Sequence, residues 1–411
     1  MRSLLGLAVA LCLGVTVWGC SDDSTSDGSG GSGGTGGSAG QGGSTSGGSA
    51  GSSTAGSAGA STGGSAGTAG TGGTGGNPNT FEIQAFDRDR ITSDGSQPNF
   101  QHIETDVDFK QGPFEKVTLI VDLESTCYPF DSWLGANPSN PPPSGQNWPA
   151  DCDAFDRNFE FTLDEPTQDG EPPAIELVRA ITPFGGPLHF EIDITDVANG
   201  IAPGTHRLRS HISTWSDGAG QVSGSNGGWF VSAKIQVSPG PAPRNVLAVI
   251  PLYNGSHGAM SPEAINFDIP AGTTSTRVEY RATGHGGVFP SPGCNQPGEE
   301  FCKRDHRFFA DGAQFDRQTP WRTDCKDLCT RKTFTTAGGG SFEYCEENPC
   351  GAIASVEAQR ANWCPGSVTP PINFERSEYN TAGQHSFAWT ISPVADGGSW
   401  RVSALLFAFG D

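Results

Sequence analysis

An all-β fold, two side-by-side antiparallel β-sandwiches of the jelly-roll type after a disordered linker, is what this sequence predicts. Three observations carry it. From Thr80 onward apolar residues alternate with polar ones at period two, glycine and proline interrupt at short intervals, and no window sustains a helical period of useful length. Val117, Leu119, Val121 and Leu123 form one alternating run; Phe159, Phe161 and Leu163 form a second; Phe190, Ile192 and Ile194 form a third. Val231, Ala233, Ile235 and Val237 repeat the pattern, as do Phe387, Trp389 and Ile391. The last run, Val402 to Phe409, is nearly continuous and reads as a strand buried on both faces. Short strands with Gly/Pro turns build sandwiches or jelly rolls. The length from Thr80 on suffices for two cores. Ser238-Pro239-Gly240-Pro241-Ala242-Pro243 is the natural break, because its prolines donate nothing to a ladder. The expected sandwiches are 79–240 and 244–411.

The residues before them read as address and tether. Arg2 precedes an apolar run from Leu4 to Val17 and then Gly19-Cys20, a run too short to cross a bilayer as a stable helix. Residues 1–20 are expected to be a signal peptide with a lipobox-like end and Cys20 as the lipidated residue. Trp18 is unusual before the glycine, so plain cleavage is the alternative. Residues 21–78 are almost all Gly, Ser, Thr and Ala and bury no core, so disorder is expected. As a flexible coil they span on the order of 40 Å. Gly36-Gly37-Ser38-Ala39-Gly40 fits a nucleophile-elbow pattern by composition alone and is rejected, since no strand or helix frames it. The expected location is exported, as a bacterial cell-envelope lipoprotein or a secreted protein that meets membrane only through its lipid.

With 24 Lys+Arg against 45 Asp+Glu, the formal net charge is −21. That excludes a nucleic-acid partner, which requires a basic surface. In an exported chain the cysteines are expected in disulfides. Setting aside Cys12 and Cys20 leaves nine: 127, 152, 294, 302, 325, 329, 345, 350 and 364. Position suggests Cys127–Cys152, Cys294–Cys302, and Cys364 with Cys345 or Cys350, while Cys325 and Cys329 pair locally. Nine is odd, so one is left over. Zinc on Cys325-x-x-x-Cys329 and Cys345-x-x-x-x-Cys350 is the alternative, disfavoured by export and by the lack of a matching His pair.

Cys152-Asp153-Ala154-Phe155-Asp156-Arg157 carries the candidate chemistry: a carboxylate beside a guanidinium, on a loop that a bridged cysteine would stiffen. The expectation is that Arg157 keeps Asp156 ionised. Glu299-Glu300-Phe301-Cys302-Lys303-Arg304-Asp305-His306 and Arg360-Ala361-Asn362-Trp363-Cys364-Pro365-Gly366 repeat that logic in the second half. Ile212-Ser213-Thr214-Trp215 adds an indole in the first. Carboxylates activate water, indole faces stack on sugar rings, and guanidinium forks hold oxygens. For any single tryptophan, core packing is the plainer reading.

These segments, with Ile181-Thr182-Pro183-Phe184, Glu191 to Asp196, Val249 to Asn254 and Gly284-His285, resemble bacterial peptide-N-glycosidase F in order and approximate spacing from about Phe81 to the C-terminus. The resemblance implies two jelly rolls with the active site in the cleft between them, no metal or cofactor, and a monomer acting on N-linked glycoproteins or glycopeptides. It implies hydrolysis of the amide joining N-acetylglucosamine to asparagine. By position it makes Asp156 and Glu300 catalytic, and Arg157, Ser213, Trp215, His285, Arg360 and Trp363 substrate-binding. Two positions depart: Ser213 stands where the family has a glutamate, and Thr283 where it has a tryptophan. The segment from Cys325 to Cys350 is also longer and richer in cysteine, so a cleft-edge loop is expected to be reshaped. An active amidase and a lectin-like glycan binder without turnover are therefore the two readings. A copper monooxygenase is set aside, because the eight histidines include no His-x-His pair and only Met260 remains after the start methionine.

Overall fold

A computed structural model describes residues 80–216, 218–258, 263–288 and 292–411. The expected signal peptide (1–20, with Cys20) and the expected linker (21–78) lie outside the described residues. Among those described, eight strands follow one another in the first half: β1 (Phe81–Thr92), β2 (His102–Phe109), β3 (Phe114–Glu124), β4 (Asn158–Leu163), β5 (Ile175–Ile181), β6 (Leu188–Asp193), β7 (Gly204–Ile212) and β8 (Gly228–Pro239). Short helices α1 (Asp131–Leu134) and α2 (Thr195–Gly200) sit in their connections. The second half runs β9 (Val246–His257), β10 (Ile265–Ile269), β11 (Ser275–Gly286), β12 (Asp305–Ala310) and β13 (Ala313–Gln318). An excursion follows, with the hairpin β14 (Arg331–Thr335) and β15 (Ser341–Cys345), helix α3 (Ile353–Val356) and β16 (Ser367–Thr369). The chain closes with β17 (Ile372–Glu375), β18 (Gly383–Ser392) and β19 (Gly398–Phe409). The expected runs all lie in strands, apart from Ile194 at the end of β6.

The sheets are ordered β1-β8-β3-β6 and β2-β7-β4-β5 in the first half, and β9-β19-β11-β17 and β10-β18-β12-β13 in the second. If β14, β15 and β16 are left out and each half is numbered from one, both orders read 1-8-3-6 and 2-7-4-5. The chain therefore folds the same eight-stranded jelly roll twice. The repetition reaches side chains. Asp164, just past β4, and Asp311, just past β12, both have positive φ, 54° and 48°. Each takes a histidine Nδ1 on one oxygen, His206 at 2.6 Å and His385 at 2.8 Å. Each takes the next residue's backbone N–H on the other, Arg207 at 3.0 Å and Ser386 at 2.7 Å. Burial pushes both imidazoles down, but the aspartate and the carbonyl on Nε2 hold them above their ordinary value.

The alternating residues of β19 explain its continuous apolar run. Trp400, Val402, Ala404, Leu406 and Ala408 fill the core of the second sandwich. Leu405, Phe407 and Phe409 point the other way and join the core of the first. Charge crosses the same seam. Arg401 forks onto Glu160 of β4 at 2.8 and 2.7 Å, and Arg179 of β5 forks onto Glu176 at 2.8 Å on each arm. Arg179 also donates to the Arg401 carbonyl. β16 crosses as well: it comes from the second half yet pairs antiparallel with the edge of β5.

Removing one partner of a buried pair leaves an uncompensated charge, so Arg401→Met is expected to cost about 3–5 kcal/mol in denaturant unfolding. A histidine held above its unfolded pKa gives stability that is whole below about pH 6.5 and fades as pH rises through the raised value. The stability gap between wild type and the double variant His206→Gln/His385→Gln, read from urea midpoints, should therefore be wide near about pH 5.5 and narrow toward about pH 9.

Candidate functional site

Both halves build their contribution in the same place, the connection from the third strand to the fourth. In the first sandwich a disulfide, Cys127–Cys152, closes that connection. Asp153 follows with no exposed surface. Its carboxylate takes Arg157 Nε and Nη2, both at 3.0 Å, Ser223 Oγ at 3.0 Å, Trp229 Nε1 at 3.4 Å and the Thr214 hydroxyl. In the second sandwich the disulfide is Cys294–Cys302 and the buried carboxylate is Glu299. It takes Arg304 Nε at 2.6 Å and Nη2 at 2.8 Å, Trp400 Nε1 at 2.9 Å and the Ala395 N–H at 2.9 Å. Trp229 and Trp400 lie on β8 and β19, the matching eighth strands.

These loops present Asp156 and Glu300 to one guanidinium. Arg360 Nη2 lies 3.7 Å from Asp156 Oδ2, and Asp156 is 10% exposed, enough to meet solvent. Burial pushes Asp156 up to about 6 against the pull of Arg360 and Arg157. The same cause raises Glu300 to about 7, with Arg360 again opposing and Asp156 adding to the rise. The expectation that Arg157 holds Asp156 ionised is thus corrected: desolvation outweighs it, and the Arg157 fork is turned to Asp153. Gly298 explains how the Glu300 carboxylate fits. At φ 100° a Cβ there would lie 2.7 Å from Glu300 Oε2, so only glycine leaves it room.

Arg360 is held by its own segment. Its Nη2 donates to the Ser355 carbonyl and hydroxyl, both at 2.9 Å, while its Nε is buried with no acceptor. The Ala361 N–H donates to the Glu300 carbonyl at 2.7 Å, tying the Arg360 segment to the Glu300 loop. Arg360 lies over Trp363 at 4.4 Å and over Phe301 at 4.8 Å. Trp363 stacks on His285 with ring centroids 5.3 Å apart and donates Nε1 to the Gly284 carbonyl at 2.9 Å. Trp363 and Arg360 are 3% and 2% exposed. They back the acid pair rather than offer a broad open face. His285 pairs with Thr283 at 2.9 Å, and Thr283 is wholly buried.

Trp215 and Ser213 form a separate group on the Asp153 side. Trp215 is half-buried, lies 4.9 Å from the Arg157 guanidinium, and its carbonyl takes Arg157 Nη2 at 3.3 Å. Ser213 is half-buried and donates its N–H to the Asn158 carbonyl at 3.1 Å, which sets it two residues from Asp156 on the neighbouring strand. The structure thus gathers Asp156, Glu300, Arg360, Trp363 and His285, and brings Arg157 and Trp215 together by Asp153, while Ser213 bonds Asn158.

The disulfides correct part of the expected pairing. Cys127–Cys152 and Cys294–Cys302 form as expected, but Cys364 pairs with Cys325 and Cys329 with Cys345. Cys345 and Cys350 are therefore not partners of Cys364, Cys325 and Cys329 do not pair locally, and Cys350 is outside the four disulfides. A backbone bridge between Arg322 and Arg360 brings Cys325 to Cys364, and the register of Arg331 with Cys345 places Cys329 beside Cys345. The zinc alternative loses three of its four thiolates, Cys325, Cys329 and Cys345, to these bonds. The Cys-rich excursion packs Phe334, Phe342 and Tyr344 around Phe130 of the first sandwich.

A cavity of ≈ 260 Å³ opens at another part of the seam, lined by Glu176, Asp196, Arg244, Arg277, Glu279 and Arg281 among others. Its acids are engaged: Asp196 and Glu279 with Arg277, and Glu176 with Arg179. With those acids tied up in ion pairs, the Asp156–Glu300 pair is the better site. Sequence reading passed over Asp153 and Glu299. The available signal was a carboxylate one to three residues from a cysteine with an arginine four or five residues on, present in both segments.

Two jelly rolls meeting at a buried acid pair define the class: a two-sandwich protein with its candidate site at the seam. Residues 253–407 match the family model described as Peptide-N-glycosidase F, C terminal. The fold is that of PNGase F, a glycosylasparaginase from Flavobacterium meningosepticum (18% identity, 81% of this chain and 96% of that one, TM-score 0.57). It is equally that of PNGF-II (17% identity, TM-score 0.57), where the match covers 81% of this chain but 65% of the other. A peptide-N(4)-(N-acetyl-β-D-glucosaminyl)asparagine amidase matches at 18% identity and TM-score 0.55, over 81% of this chain and 96% of that one. No curated protein sequence matches.

A carboxyl whose folded pKa is raised gives stability that is whole below its unfolded value and lost as pH rises through the folded one. Asp156→Asn and Glu300→Gln are each expected to stabilise the protein at pH 8 by about 2 kcal/mol, and much less at pH 4, as read by thermal melts.

Proposed function

We propose that the protein is a peptide-N-glycosidase, an amidase that hydrolyses the bond between N-acetylglucosamine and the asparagine side chain of N-linked glycoproteins. One observation carries this reading: Asp156 and Glu300, one from each sandwich, both feel the charge of Arg360, which lies 3.7 Å from Asp156, and are raised toward neutral pH by burial. Two coupled acids that titrate near pH 6–7 share protons as a pair. In the ionised form one takes a proton from water as its oxygen adds to the side-chain carbonyl. In the protonated form the other hands a proton to the departing nitrogen as the C–N bond breaks, leaving aspartate and a glycosylamine. The unpartnered Arg360 Nε–H is a donor for an oxygen of the substrate. Trp215, half-buried against Arg157, offers an edge for a sugar ring. The chain is proposed to act as an exported monomer, tethered through a lipid on Cys20.

Ser213 favours a second reading. A hydroxyl there binds sugar hydroxyls but carries no charge, which suits a lectin-like protein that holds glycans without turnover. Incubating the protein with a denatured N-glycoprotein decides between them by mass. Asn-to-Asp conversion is expected, with a bell-shaped pH profile, and Asp156→Asn should lower kcat by about a thousandfold or more. No conversion across several glycan types, with retained binding on a glycan array, would assign the protein to the second reading.

A further inference from the structure

The buried carboxylates Asp153 and Glu299 make more side-chain hydrogen bonds than the two acids that face the seam. Each lies in the connection from the third to the fourth strand of its jelly roll, beside a disulfide that closes the connection. Each is forked by a following arginine, Arg157 or Arg304, and takes the indole N–H of a tryptophan on its sandwich's eighth strand. Each stands just before an acid of the site: Asp153 three residues before Asp156, Glu299 one before Glu300. The intervening sequences differ in length and composition, so the correspondence is a property of the fold rather than of local spacing.

Stability alone does not account for such a pair, because a buried ion pair replaced by apolar groups of similar volume is often no less stable. A forked guanidinium–carboxylate supplies direction: two parallel N–H···O bonds fix the plane of both groups. The main chain extends that direction to the site. The Arg157 N–H donates to Thr182 Oγ1 at 2.8 Å, and Thr182 Oγ1 donates to the Phe155 carbonyl at 3.0 Å, bracketing Asp156. On the other side, the Cys302 N–H donates to the Glu299 carbonyl at 3.0 Å, and the Glu300 carbonyl takes Ala361 N–H at 2.7 Å.

We propose that Asp153 and Glu299 are equivalent positioning residues, each fixing through its arginine and tryptophan the loop that carries the neighbouring acid, Asp156 or Glu300. Their part in turnover rests on the amidase reading; their part in placing the two acids does not. The charged groups acting on Asp156 are Arg360, Arg157 and Asp153, and those acting on Glu300 are Arg360 and Asp156. A shift of either loop therefore changes how its acid titrates.

The test deletes one donor from each set. Trp229→Phe and Trp400→Phe remove the indole N–H and keep an aromatic ring. Arg157→Lys and Arg304→Lys keep the charge and lose the fork. Side-chain carboxylate NMR follows Asp156 and Glu300 in the folded protein without substrate. Trp229→Phe and Arg157→Lys are expected to move the Asp156 titration more than that of Glu300, and Trp400→Phe and Arg304→Lys the reverse. Where the protein turns over N-glycopeptide, kcat should fall about tenfold with KM changed less than about twofold. A wild type without turnover sinks the amidase reading and leaves the titration readout standing. Wild-type titration of both acids in all variants that fold, whatever their loss in melting temperature, overturns the positioning role.

Discussion

The seam between the sandwiches is the constraint on which the rest depends, and its rigid part is the ion cluster of Glu160, Arg401, Arg179 and Glu176. The site's two acids come from different jelly rolls, so their separation is only as well defined as the relation between the two bodies. Apolar contact between β19 and the first core supplies attraction but little registry. The Arg401–Glu160 fork adds direction, because a bidentate pair accepts one orientation of its partner. Removing those charges from water is costly, and the cluster meets the cost with bonds on several edges at once: Arg179 bonds Glu176, approaches Glu160 and donates to the Arg401 carbonyl.

Glu160 and the two site acids titrate in opposite directions along this seam, and the reason is the ratio of charges. Glu160 is as buried as the site acids, but Arg401 and Arg179 both act on it and hold it well below the usual carboxylate range. Asp156 and Glu300 share Arg360, and the second guanidinium near them, Arg157, is forked by Asp153. Desolvation then prevails and both move up. One interface thus keeps one acid ionised as a tie and leaves two others near their midpoint as chemistry.

The strand pattern was legible because burial on one face writes itself as period two, and β19 because its two faces enter two different cores. Asp156 was legible as a carboxylate beside an arginine and near a cysteine, and Glu300 was singled out from Glu299 only by the family resemblance of its segment. Arg157 was misread: adjacency in sequence suggested a partner for Asp156, but neighbouring side chains diverge, and Asp153, four residues back, lies where the guanidinium reaches. The partners of Cys325 and Cys329 were hidden for a related reason. Pairing follows register across the hairpin and the Arg322–Arg360 bridge, and both are long-range. The shared strand order of the halves was likewise invisible, since the same topology is written with different apolar residues and interrupted by the β14–β16 excursion.

The path of that excursion bears on how such a molecule can be divided. β16 leaves the second sandwich directly after Arg360, Trp363 and Cys364 and lies along β5 of the first. Cutting the chain at the proline-rich break would strip the first sandwich of an edge strand, and the Arg360 segment would lose its outer hold. Although the halves share one blueprint, neither is a cassette. Through this crossing strand each half completes its edge or its site only in the presence of the other.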